Sequence, residues 1–450
     1  MMNPEIFREY DIRGLEEKDL TDSVVKTIGQ GYGTYISGMG VQELVVGRDG
    51  RLSSSRLRDA LIEGVTSTGC NVIDLGVCPT PVFYFALHHL DVSGGMMITG
   101  SHNPPEFNGF KLCVDKTTIY GEEIQKFKRL IEKGAFISGT GTLSFYDIIP
   151  AYQQYIERCI GDIGGIKVVV DAGNGTAGVV APTLLADMGC EVIPMYCELD
   201  GRFPHHHPDP TIPENLLDLI EKVRQTHAHL GIGYDGDADR LGIVDENGTI
   251  IWGDNLLIIF ARDILREHPG ATIISEVKCS MNLYREIEQL GGRGIMWKAG
   301  HSLIKGKMKE EGALVAGEMS GHMFFADRYF GYDDAIYATC RLIEIVKKTK
   351  KNVSELLDGV PKTFVTPEIR FECPEHKKFR VVETIKADFS QKYKIIDVDG
   401  VRVLFDDGWG LIRASNTQPA LVIRFEATTQ KRLEEIKELF EGELAKVVHE

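Results

Sequence analysis

The length, charge and cysteine content of the sequence exclude several classes of protein. A chain of 450 residues, of which 43% are hydrophobic and 26% charged, exceeds what one hydrophobic core serves, so we expect three or four folded domains. A formal net charge of -16 repels nucleic acid and anionic membranes. The nine cysteines include no Cys-x-x-Cys pair, which is typical of reduced thiols. With a charged start and no apolar run of membrane-helix length, the sequence predicts a cytoplasmic enzyme without nucleic-acid or membrane partners.

A β-α-β pattern occurs three times along most of the chain. Short apolar, β-rich runs, each followed by a polar loop and a helical pattern, are predicted at 44–47, 168–170 and 272–275. After each helix, a glycine that can cap it precedes a second short strand, predicted at 71–75, 191–194 and 293–297. Alternating strands and helices favour right-handed crossovers and parallel sheets. The pattern therefore predicts three α/β domains of related design.

The last segment of the chain differs from these repeats. Strands are predicted at 368–372, 393–398, 401–405 and 421–426, and helices at 375–392 and 430–447. Asp399-Gly400 between two of the strands is typical of a tight hairpin turn. We therefore predict an α/β fold in which three related α/β domains with mixed, largely parallel sheets join a carboxyl-terminal α+β domain around a central cleft. The expected domains span 1–147, 148–252, 253–365 and 366–450.

Each repeat also has a later strand that ends in a polar loop. The three segments read MMITGSHNPP, LGIGYDGDADR and ALVAGEMSGH. In parallel α/β sheets, ligands bind at loops beyond the carboxyl ends of strands. We therefore expect the three loops to face one shared cleft.

The second loop is rich in carboxylates. Asp235, Asp237 and Asp239 alternate with small residues, a spacing that lets carboxylates converge on a hard cation such as magnesium or calcium. An EF-hand is an alternative because Glu246 falls at its twelfth position, but Arg240 replaces the required turn glycine. Two further alternatives are an aspartyl-phosphatase motif, in which Asp235 carries the phosphoryl group, and a solvated acidic turn.

The first loop contains Ser101, which needs a base or a metal to become a nucleophile. The hydrolase pattern Gly-x-Ser-x-Gly is absent because Thr99 and Asn103 occupy the glycine positions. If Ser101 carries a phosphoryl group, a phosphate oxygen can complete the coordination of a cation in the acidic loop. Lys111 can then stabilise charge, and His102 or Lys111 can move the proton of an attacking sugar hydroxyl. The alternative is an ordinary turn.

Two further segments contain candidate binding residues. Glu318, Ser320 and His322 in GEMSGH offer donors and acceptors for sugar hydroxyls, although a lone histidine is more often structural. Arg413 and the polar residues after it, in RASNTQP, form a candidate anion nest for a phosphate group. The alternative for this segment is an ordinary turn.

In these motifs the sequence resembles the α-D-phosphohexomutase family, specifically its bacterial phosphomannomutase/phosphoglucomutase branch. The resemblance rests on FREYDIRG, TGSHNPPEFNGFK, DGDADR, GEMSGH and RASNTQP, in the order of the family, and covers essentially the whole chain. It implies four domains around one cleft. It also implies that phosphate moves reversibly between C1 and C6 of a hexose, through a phosphoserine enzyme and a hexose 1,6-bisphosphate that also serves as activator.

The resemblance also implies roles for individual residues. Ser101 is the phosphoserine and, through its phosphate, a ligand of Mg²⁺ together with Asp235, Asp237 and Asp239. The catalytic group comprises Ser101, His102, Lys111 and Arg240. Glu318 and Ser320 hold sugar hydroxyls. The non-reacting phosphate is held by Arg413, Ser415, Asn416 and Thr417. Further substrate-binding positions are Tyr10, Arg13, Lys278, His301 and His322. Ala238 stands where many members have glycine, a change that should leave the metal loop intact.

The expected substrates are mannose 1-phosphate and mannose 6-phosphate, together with the glucose phosphates. Glucosamine-specific relatives tend to have glutamine after the glutamate of the third loop and a Ser-Gly-Thr phosphate loop, whereas this chain has GEMSGH and RASNT. Phosphoglucosamine mutase, a metal-dependent sugar phosphatase and a non-catalytic sugar-phosphate binding protein remain the alternatives. We expect a monomer or a weak homo-oligomer.

Overall fold

The computed structural model describes residues 2–415 and 419–448, and within these ranges the strands form four sheets. The first sheet contains β1 (Ile12–Leu15), β2 (Glu43–Arg48), β3 (Asn71–Val77), β4 (Gly94–Ile98), β5 (Phe107–Val114), β6 (Thr117–Thr118) and β7 (Leu143–Phe145). Its helices are α1 (Asp22–Ser37), α2 (Ser54–Thr66), α3 (Thr80–His89) and α4 (Glu122–Lys133). The strand order is β1-β5-β4-β2-β3-β7, with β6 beside β5.

The second and third sheets are smaller. The second contains β8 (Lys167–Asp171), β9 (Glu191–Met195), β10 (Leu230–Tyr234), β11 (Leu241–Asp245) and β12 (Ile250–Ile251), with helices α5 (Ile149–Cys159), α6 (Ala181–Asp187) and α7 (Leu217–Thr226). The third contains β13 (Thr272–Glu276), β14 (Arg293–Trp297), β15 (Val315–Gly317) and β16 (Met323–Phe325), with helices α8 (Gly253–Glu267), α9 (Met281–Gln289), α10 (His301–Glu311) and α11 (Ala335–Thr349).

The fourth sheet is antiparallel throughout its described pairings. It contains β17 (Phe364–Val365), β18 (Ile369–Glu372), β19 (Lys394–Ile396), β20 (Val401–Phe405), β21 (Gly408–Ala414) and β22 (Ala420–Ala427), with helices α12 (Glu375–Ser390) and α13 (Gln430–Val448). Short 3-10 helices lie at Pro4–Ile6, Thr176–Val179, Pro213–Leu216 and Ser354–Leu357.

The first three sheets share one arrangement, which confirms the predicted fold class. In each, a central strand (β2, β8 or β13) pairs in parallel with two neighbours, and the second of these (β4, β10 or β15) pairs with an antiparallel strand that follows it directly. The three polar loops of the sequence are the connections from β4 to β5, β10 to β11 and β15 to β16. In the fourth sheet, the connection from β21 to β22 follows Ala414. The repeated topology thus places the corresponding loop of each repeat at the same edge of its sheet.

The core explains how these sheets hold together. One apolar cluster extends through the first three sheets and includes Phe85, Tyr152, Tyr234, Phe260 and Tyr337, all buried. The fourth sheet packs its own cluster against α12 and α13. No helix among the described residues has both the length and the apolar character needed to cross a membrane.

Two local expectations for the last segment need correction. Strand β19 ends at Ile396 and β20 begins at Val401, so the connection between them runs over residues 397–400 and is longer than a tight two-residue turn. Gly400 has a φ of 80°, but Asp399 uses its carboxylate for tertiary contacts that a tight turn does not require. Strand β21 was not predicted, because Gly408 and Gly410 weaken its strand pattern.

Candidate active site

The loop after β4 carries Ser101 in a left-handed backbone conformation. Its φ of 48° is one that residues other than glycine rarely adopt. The Ser101 backbone N–H donates a hydrogen bond of 2.8 Å to Thr99 Oγ1. The buried hydroxyl donates to Asp235 Oδ2 at 2.9 Å and lies 3.1 Å from His102 Nδ1. The serine loop of the first sheet therefore meets the acidic loop of the second sheet at this hydroxyl.

The acidic loop between β10 and β11 brings three carboxylates together. One oxygen from each of Asp235, Asp237 and Asp239 lies within 4.8 Å of the others, and all three side chains are buried. The backbone N–H groups of Asp239 and Arg240 each donate to Asp235 Oδ1 at 3.1 Å, which closes the turn. Ala238 adopts a φ of 61° within it. The turn thus directs its carboxylates to one point.

The contacts of this loop decide between some of its alternatives. Antiparallel strands rather than helices lie on both sides of it, and Glu246 accepts a hydrogen bond from Ser354, so the EF-hand interpretation is wrong. Its carboxylates are buried, so it is not a solvated acidic turn. The geometry leaves open the alternative in which Asp235 carries the phosphoryl group.

The acidic loop has the donors that a hard divalent cation prefers. Asp237 Oδ1 and Asp239 Oδ1 are buried and have no hydrogen-bond partner among the described residues. Burial and the charges of Asp239 and Asp237 raise the pKa of Asp235. Burial also acts to raise the pKa of Asp237, but the charge of Lys111 and hydrogen bonds to the carboxylate lower it. A divalent cation between the three carboxylates stabilises their ionised forms. The residues therefore fit a cation such as Mg²⁺.

Lys111 from β5 is the basic side chain closest to these carboxylates. Its Nζ lies 3.0 Å from Asp237 Oδ2 and donates a hydrogen bond to Asp239 Oδ2. Burial acts to lower the pKa of Lys111, but the charges of Asp237 and Asp239 raise it above its usual value, so the side chain is charged. We call this group the transfer cluster, which comprises Ser101, Lys111, Asp235, Asp237 and Asp239.

Basic side chains from the second and third sheets lie beside the transfer cluster. Arg240 Nε donates to His322 Nε2 at 3.0 Å, and His322 Nδ1 is 3.1 Å from Asp333 Oδ2. His301 Nδ1 is 3.6 Å from the same oxygen, and the rings of His301 and His322 stack with their centroids 5.5 Å apart. Lys305 donates to Asp333 Oδ1 at 3.0 Å. Asp333, which the sequence analysis missed, therefore holds several basic side chains in place.

Arg13, a residue of β1, binds the loop that carries Ser101. It donates to Gly100 O at 2.8 Å and to Asn103 Oδ1, and it lies 2.5 Å from Asp11 Oδ2. Because Gly100 directly precedes Ser101, the hydrogen bond to Gly100 O places the positive charge of Arg13 beside the serine.

The loop between β15 and β16, which the sequence predicts to hold sugar hydroxyls and which we therefore call the sugar-recognition loop, adjoins the segment before α10. Gly300 N donates to Glu318 Oε1 at 3.2 Å, and Ser320 Oγ donates to Glu318 Oε2 at 3.5 Å. Tyr10 OH donates to Ala299 O at 2.9 Å, which brings the amino-terminal motif to the same place. The carboxylate of Glu318 is thus oriented by the backbone N–H of Gly300 and by the hydroxyl of Ser320 in its own loop.

Lys278 is held by two carboxylates. Its Nζ donates to Glu368 Oε2 at 2.9 Å and lies 3.8 Å from Glu276 Oε1. Glu276 also accepts hydrogen bonds from the backbone N–H groups of Lys278, at 2.8 Å, and Met319, at 3.3 Å. Burial acts to raise the pKa of Glu368, but Lys278 and Arg370 bring it down to about 2. The Lys278–Glu368 pair therefore links the third sheet to the segment before β18.

The fourth loop begins with Arg413 at the end of β21. Arg413 Nε donates to Asp399 Oδ2 at 2.9 Å, and Ala299 N donates to the same oxygen at 3.1 Å. Ser415 O accepts a hydrogen bond of 2.5 Å from Lys378 Nζ. The predicted phosphate-binding residues Asn416 and Thr417 lie outside the described residues. We call this second group the recognition cluster, which comprises Lys278, Glu318, Ser320, Arg413 and Ser415.

The two clusters are neighbours. Leu241 N, directly after the acidic loop, donates to Gly321 O in the sugar-recognition loop at 3.0 Å. The described residues that the sequence analysis selected therefore lie in the two clusters or beside them.

Two further side chains that the sequence analysis missed bind the transfer cluster directly. Thr80 Oγ1 donates to Asp237 Oδ2 at 2.6 Å, and Arg51 donates to Ser101 O at 2.8 Å. Both residues follow strands that pair in parallel with their neighbours, at the carboxyl edge where β4 also ends. That position was the signal that could have identified them.

Family models match nearly the whole chain. They describe phosphoglucomutase/phosphomannomutase alpha/beta/alpha domain I at residues 4–138, domain II at 151–248, domain III at 252–364, and the C-terminal domain at 368–442.

Curated relatives and a solved structure agree with these matches. A phosphomannomutase/phosphoglucomutase of Pseudomonas aeruginosa is 49% identical over 98% of this chain and 96% of its own length. A phosphoglucomutase of Neisseria gonorrhoeae is 45% identical over 97% of this chain and 96% of its own. A phosphoglucomutase/phosphomannomutase family protein of Burkholderia thailandensis has a crystal structure that superposes with a TM-score of 0.94 at 42% identity, covering 99% of this chain and 98% of that one. The chain therefore belongs to the phosphoglucomutase/phosphomannomutase family, whose members are hexose-phosphate mutases and thus isomerases.

Proposed function

We propose that the chain moves a phosphoryl group between C1 and C6 of a hexose phosphate by way of a phosphoserine at Ser101. The observation that carries this proposal is the position of the Ser101 hydroxyl, 2.9 Å from Asp235 Oδ2 in a buried group of three carboxylates. An ordinary turn does not need to place its serine against a buried acidic loop of another sheet.

The first half-reaction starts from phosphoserine 101. The bond between phosphorus and Ser101 Oγ breaks, a bond forms between phosphorus and the free sugar hydroxyl oxygen, and the proton of that hydroxyl passes to Ser101 Oγ. His102 Nδ1, which lies 3.1 Å from Ser101 Oγ, is placed to deliver this proton. Lys111 and Arg240 supply positive charge beside the transferring group. The product of this half-reaction is a hexose 1,6-bisphosphate.

In the second half-reaction the other phosphate returns to Ser101. The bisphosphate turns over in the cleft, the bond from phosphorus to its sugar oxygen breaks, and a new bond to Ser101 Oγ forms while the serine proton passes to the sugar oxygen. The same loops must therefore hold either end of the sugar. We propose that Glu318 and Ser320 hold sugar hydroxyls. The distal phosphate would be bound by Arg413, Ser415, Asn416 and Thr417, and Lys278 is a further proposed substrate-binding residue.

The proposed metal is Mg²⁺, held by Asp235, Asp237 and Asp239 together with a phosphate oxygen on Ser101. When bound, Mg²⁺ neutralises charge on the phosphoryl group as it leaves serine. The two carboxylate oxygens that have no hydrogen-bond partner among the described residues support this assignment. Tyr10, Arg13, His301 and His322 complete the proposed substrate-binding set, and a hexose 1,6-bisphosphate restores phosphoserine when the group is lost.

Burial of the site supports a closed working state. Ser101 is 4% exposed and Asp235 0% exposed, which keeps water from the phosphoserine. We propose that the loops move apart to admit a sugar phosphate.

We further propose domains at 1–147, 148–252, 253–365 and 366–450, a monomer or weak homo-oligomer, and a cytoplasmic location, which the nine free cysteines support.

The proposed function is tested by replacing Ser101. With mannose 1-phosphate, Mg²⁺ and a trace of hexose 1,6-bisphosphate, phosphorus NMR of the wild type should show mannose 6-phosphate. Ser101→Ala should lower kcat by at least about 10³-fold, because it removes the proposed phosphoryl carrier. Ser144→Ala on the exposed edge strand β7 is the matched control and should keep full activity.

The same experiment separates the alternatives. If Ser101→Ala remains active and free phosphate accumulates, the chemistry belongs to Asp235 and the phosphoserine proposal fails. A protein that binds hexose phosphates without converting them would be a non-catalytic binding protein. Ranking kcat/KM for the mannose, glucose and glucosamine esters then tests the proposed preference for mannose and glucose.

A further inference from the structure

A buried arginine outside both clusters binds the serine loop along its whole length. The Arg51 guanidinium donates to Ser101 O at 2.8 Å, Asn103 O at 2.5 Å, Pro104 O at 2.5 Å and Phe107 O at 2.9 Å. Its side chain is 1% exposed. Carbonyl oxygens that point at one place repel one another, and the planar guanidinium with its five N–H donors compensates this repulsion. The shape of the loop therefore depends on Arg51.

Asp49 orients this arginine and also binds the loop itself. Asp49 Oδ2 lies 3.2 Å from Arg51 Nε and accepts a hydrogen bond of 3.0 Å from Gly100 N. Asp49 Oδ1 accepts from Arg51 N at 3.1 Å and from Ser54 Oγ at 2.5 Å. Removing one member of a buried pair leaves the other charge without compensation. Asp49 and Arg51 thus form one unit that binds the residue before Ser101 and Ser101 itself.

The Ser101 carbonyl has no room to move away from this unit. A Cβ atom built on Gly236 of the acidic loop would lie 2.4 Å from Ser101 O, and one built on Gly100 would lie 2.3 Å from Arg51 Cζ. The carbonyl is therefore held between the guanidinium and the acidic loop. Any shift of the serine loop must change its position relative to Asp235.

A segment that follows β9 covers the arginine. The Arg51 guanidinium lies over the Phe203 ring, 5.1 Å from its centroid, and a Cβ atom on Gly201 would lie 2.5 Å from Gly50 O. This contact excludes water from the guanidinium, which strengthens its hydrogen bonds to the carbonyls. It also joins the arginine to the part of the chain that leads to the acidic loop.

We infer that Arg51, oriented by Asp49, is a positioning residue that fixes Ser101 Oγ relative to the acidic loop during phosphoryl transfer. This inference rests on the proposed phosphoserine chemistry. Ser101 is held at a φ of 48°, a conformation that persists only when its surroundings impose it. Misplacement of a reacting group by about 1 Å costs on the order of 10²-fold in rate. Arg51 touches none of the sugar-recognition residues through its described hydrogen bonds, so its loss should change kcat rather than KM.

The first test replaces Arg51 by lysine. One ammonium group keeps the charge but cannot reach four carbonyls in a plane. We expect Arg51→Lys to lower kcat for mannose 1-phosphate by about 100-fold with KM within about 3-fold. Phosphorylation of dephosphorylated enzyme by glucose 1,6-bisphosphate, followed by intact-protein mass spectrometry, should slow by a similar factor.

A matched control separates positioning from general stability. Arg341 is an equally buried arginine that pairs with Asp327 at 2.8 Å in the third sheet's layer. Arg341→Lys should lower the melting temperature while leaving the rate of Ser101 phosphorylation within about 3-fold of wild type. Equal losses of kcat in Arg51→Lys and Arg341→Lys would overturn the inference, as would a rise in KM at unchanged kcat.

Two further variants keep the inference testable if Arg51→Lys does not fold. Asp49→Asn preserves shape but removes the charge beside Arg51 Nε, and we expect kcat to fall by about 10-fold. An unchanged kcat in Asp49→Asn would contradict the inference that Asp49 orients Arg51. Arg51→Ala should regain activity when guanidinium chloride is added at low concentration, whereas Ser101→Ala should not. Activity that survives in Ser101→Ala would instead defeat the phosphoserine proposal on which this inference rests.

Discussion

The transfer cluster and the recognition cluster differ in how their cations are compensated. In the transfer cluster, Lys111 lies against Asp237 and Asp239, which are themselves proposed ligands of the metal. In the recognition cluster, Lys278 and Arg413 pair with Glu368 and Asp399, carboxylates outside the proposed binding set. A phosphate that binds Lys278 or Arg413 must compete with these carboxylates. We therefore interpret the first cluster as preassembled for chemistry and the second as able to exchange its partners during the reaction.

The two clusters also differ in which residue types adopt positive φ values. Ser101 and Ala238 adopt positive φ values without being glycine, at 48° and 61°. Around the recognition cluster the positive φ values belong to Gly300, Gly321 and Gly400. Glycine adopts this conformation without strain, whereas other residues need surrounding contacts to hold them in it. The comparison indicates that backbone strain is kept in the transfer cluster, where we propose that the phosphoryl group moves, and avoided in the recognition cluster, where we propose that the sugar turns.

Asp237→Asn gives the largest expected effect, because it tests whether the transfer cluster is a metal site. Loss of one carboxylate should lower kcat by on the order of 10³-fold at limiting Mg²⁺, and raise the Mg²⁺ concentration for half-maximal activity. Activity against Mg²⁺ concentration measures both. Asp245→Asn is the control, since Asp245 Oδ1 binds only the backbone N–H groups of Asn247 and Thr249 among its described contacts. An unaltered Mg²⁺ dependence in Asp237→Asn would contradict the interpretation of the transfer cluster as a metal site.

Glu368→Gln tests the pair that links the third and fourth sheets. Because the pKa of Glu368 is lowered to about 2, the ionised pair contributes stability above about pH 4.5 and loses it as the pH falls toward about 2. We expect the variant to lose about 1 to 3 kcal/mol at pH 7, and the difference from wild type to shrink as the medium is acidified. Calorimetry at several pH values measures this.

The exposed pair Glu122–Arg129 provides the control for Glu368→Gln. Glu122→Gln should show no measurable difference from wild type at any pH, because solvent screens the pair. If the two variants behave alike, the Lys278–Glu368 pair does not hold the sheets together.

Arg413→Lys should affect binding rather than chemistry. Lysine keeps the charge but loses the planar fork that suits a phosphate, so KM should rise about 10-fold with kcat within about 3-fold. Steady-state kinetics with mannose 1-phosphate measures the split. Asp399→Asn sharpens the result: a lower KM supports competition by Asp399 for Arg413, an unchanged KM contradicts it, and a higher KM means that Asp399 orients the arginine for substrate.

Sequence reasoning predicted the repeated design well because local pattern determines it. The run at 293–297 coincides with β14 and the run at 401–405 with β20, where apolar alternation and flanking turns leave little choice. The loops GSHNPP, DGDADR and GEMSGH were found because each concentrates several reactive residue types after a strand. Such concentration is visible without any knowledge of tertiary contacts.

Each residue that sequence reasoning missed contacts the site through a single side chain whose partner is distant in the sequence. Arg51 binds the carbonyl of Ser101, fifty positions away in sequence, and Thr80 binds Asp237 across an even longer separation. Likewise, Asp333 contacts the side chain of His322, and Glu276 accepts a hydrogen bond from the backbone N–H of Met319 in another segment. A single arginine or threonine in a sequence carries no local signal of such a contact. Only the pairing of strands reveals which loop ends share an edge.

Ala238→Gly should give the smallest effect, because opposing contributions nearly cancel. Alanine at a φ of 61° carries strain of roughly 1 to 2 kcal/mol, which glycine removes. Glycine also adds about 0.4 to 1 kcal/mol of unfolded-state entropy and loses a buried methyl group worth about 0.8 kcal/mol. We therefore expect the free energy of unfolding to change by less than about 1 kcal/mol, and the Mg²⁺ dependence of activity to stay within about 2-fold.

Ala238→Val turns this small effect into a test of strain in the transfer cluster. A β-branched side chain at a positive φ clashes with its own backbone, and Ala238 is 0% exposed, so valine should cost at least about 2 kcal/mol and weaken Mg²⁺ activation. Thermal unfolding and Mg²⁺ titration of the two variants provide the comparison. If valine is tolerated as well as glycine, the acidic loop has slack, and the contrast between a strained transfer cluster and a relaxed recognition cluster does not hold. If glycine alone lowers activity more than about 10-fold, the buried methyl group rather than the backbone conformation holds the three carboxylates together.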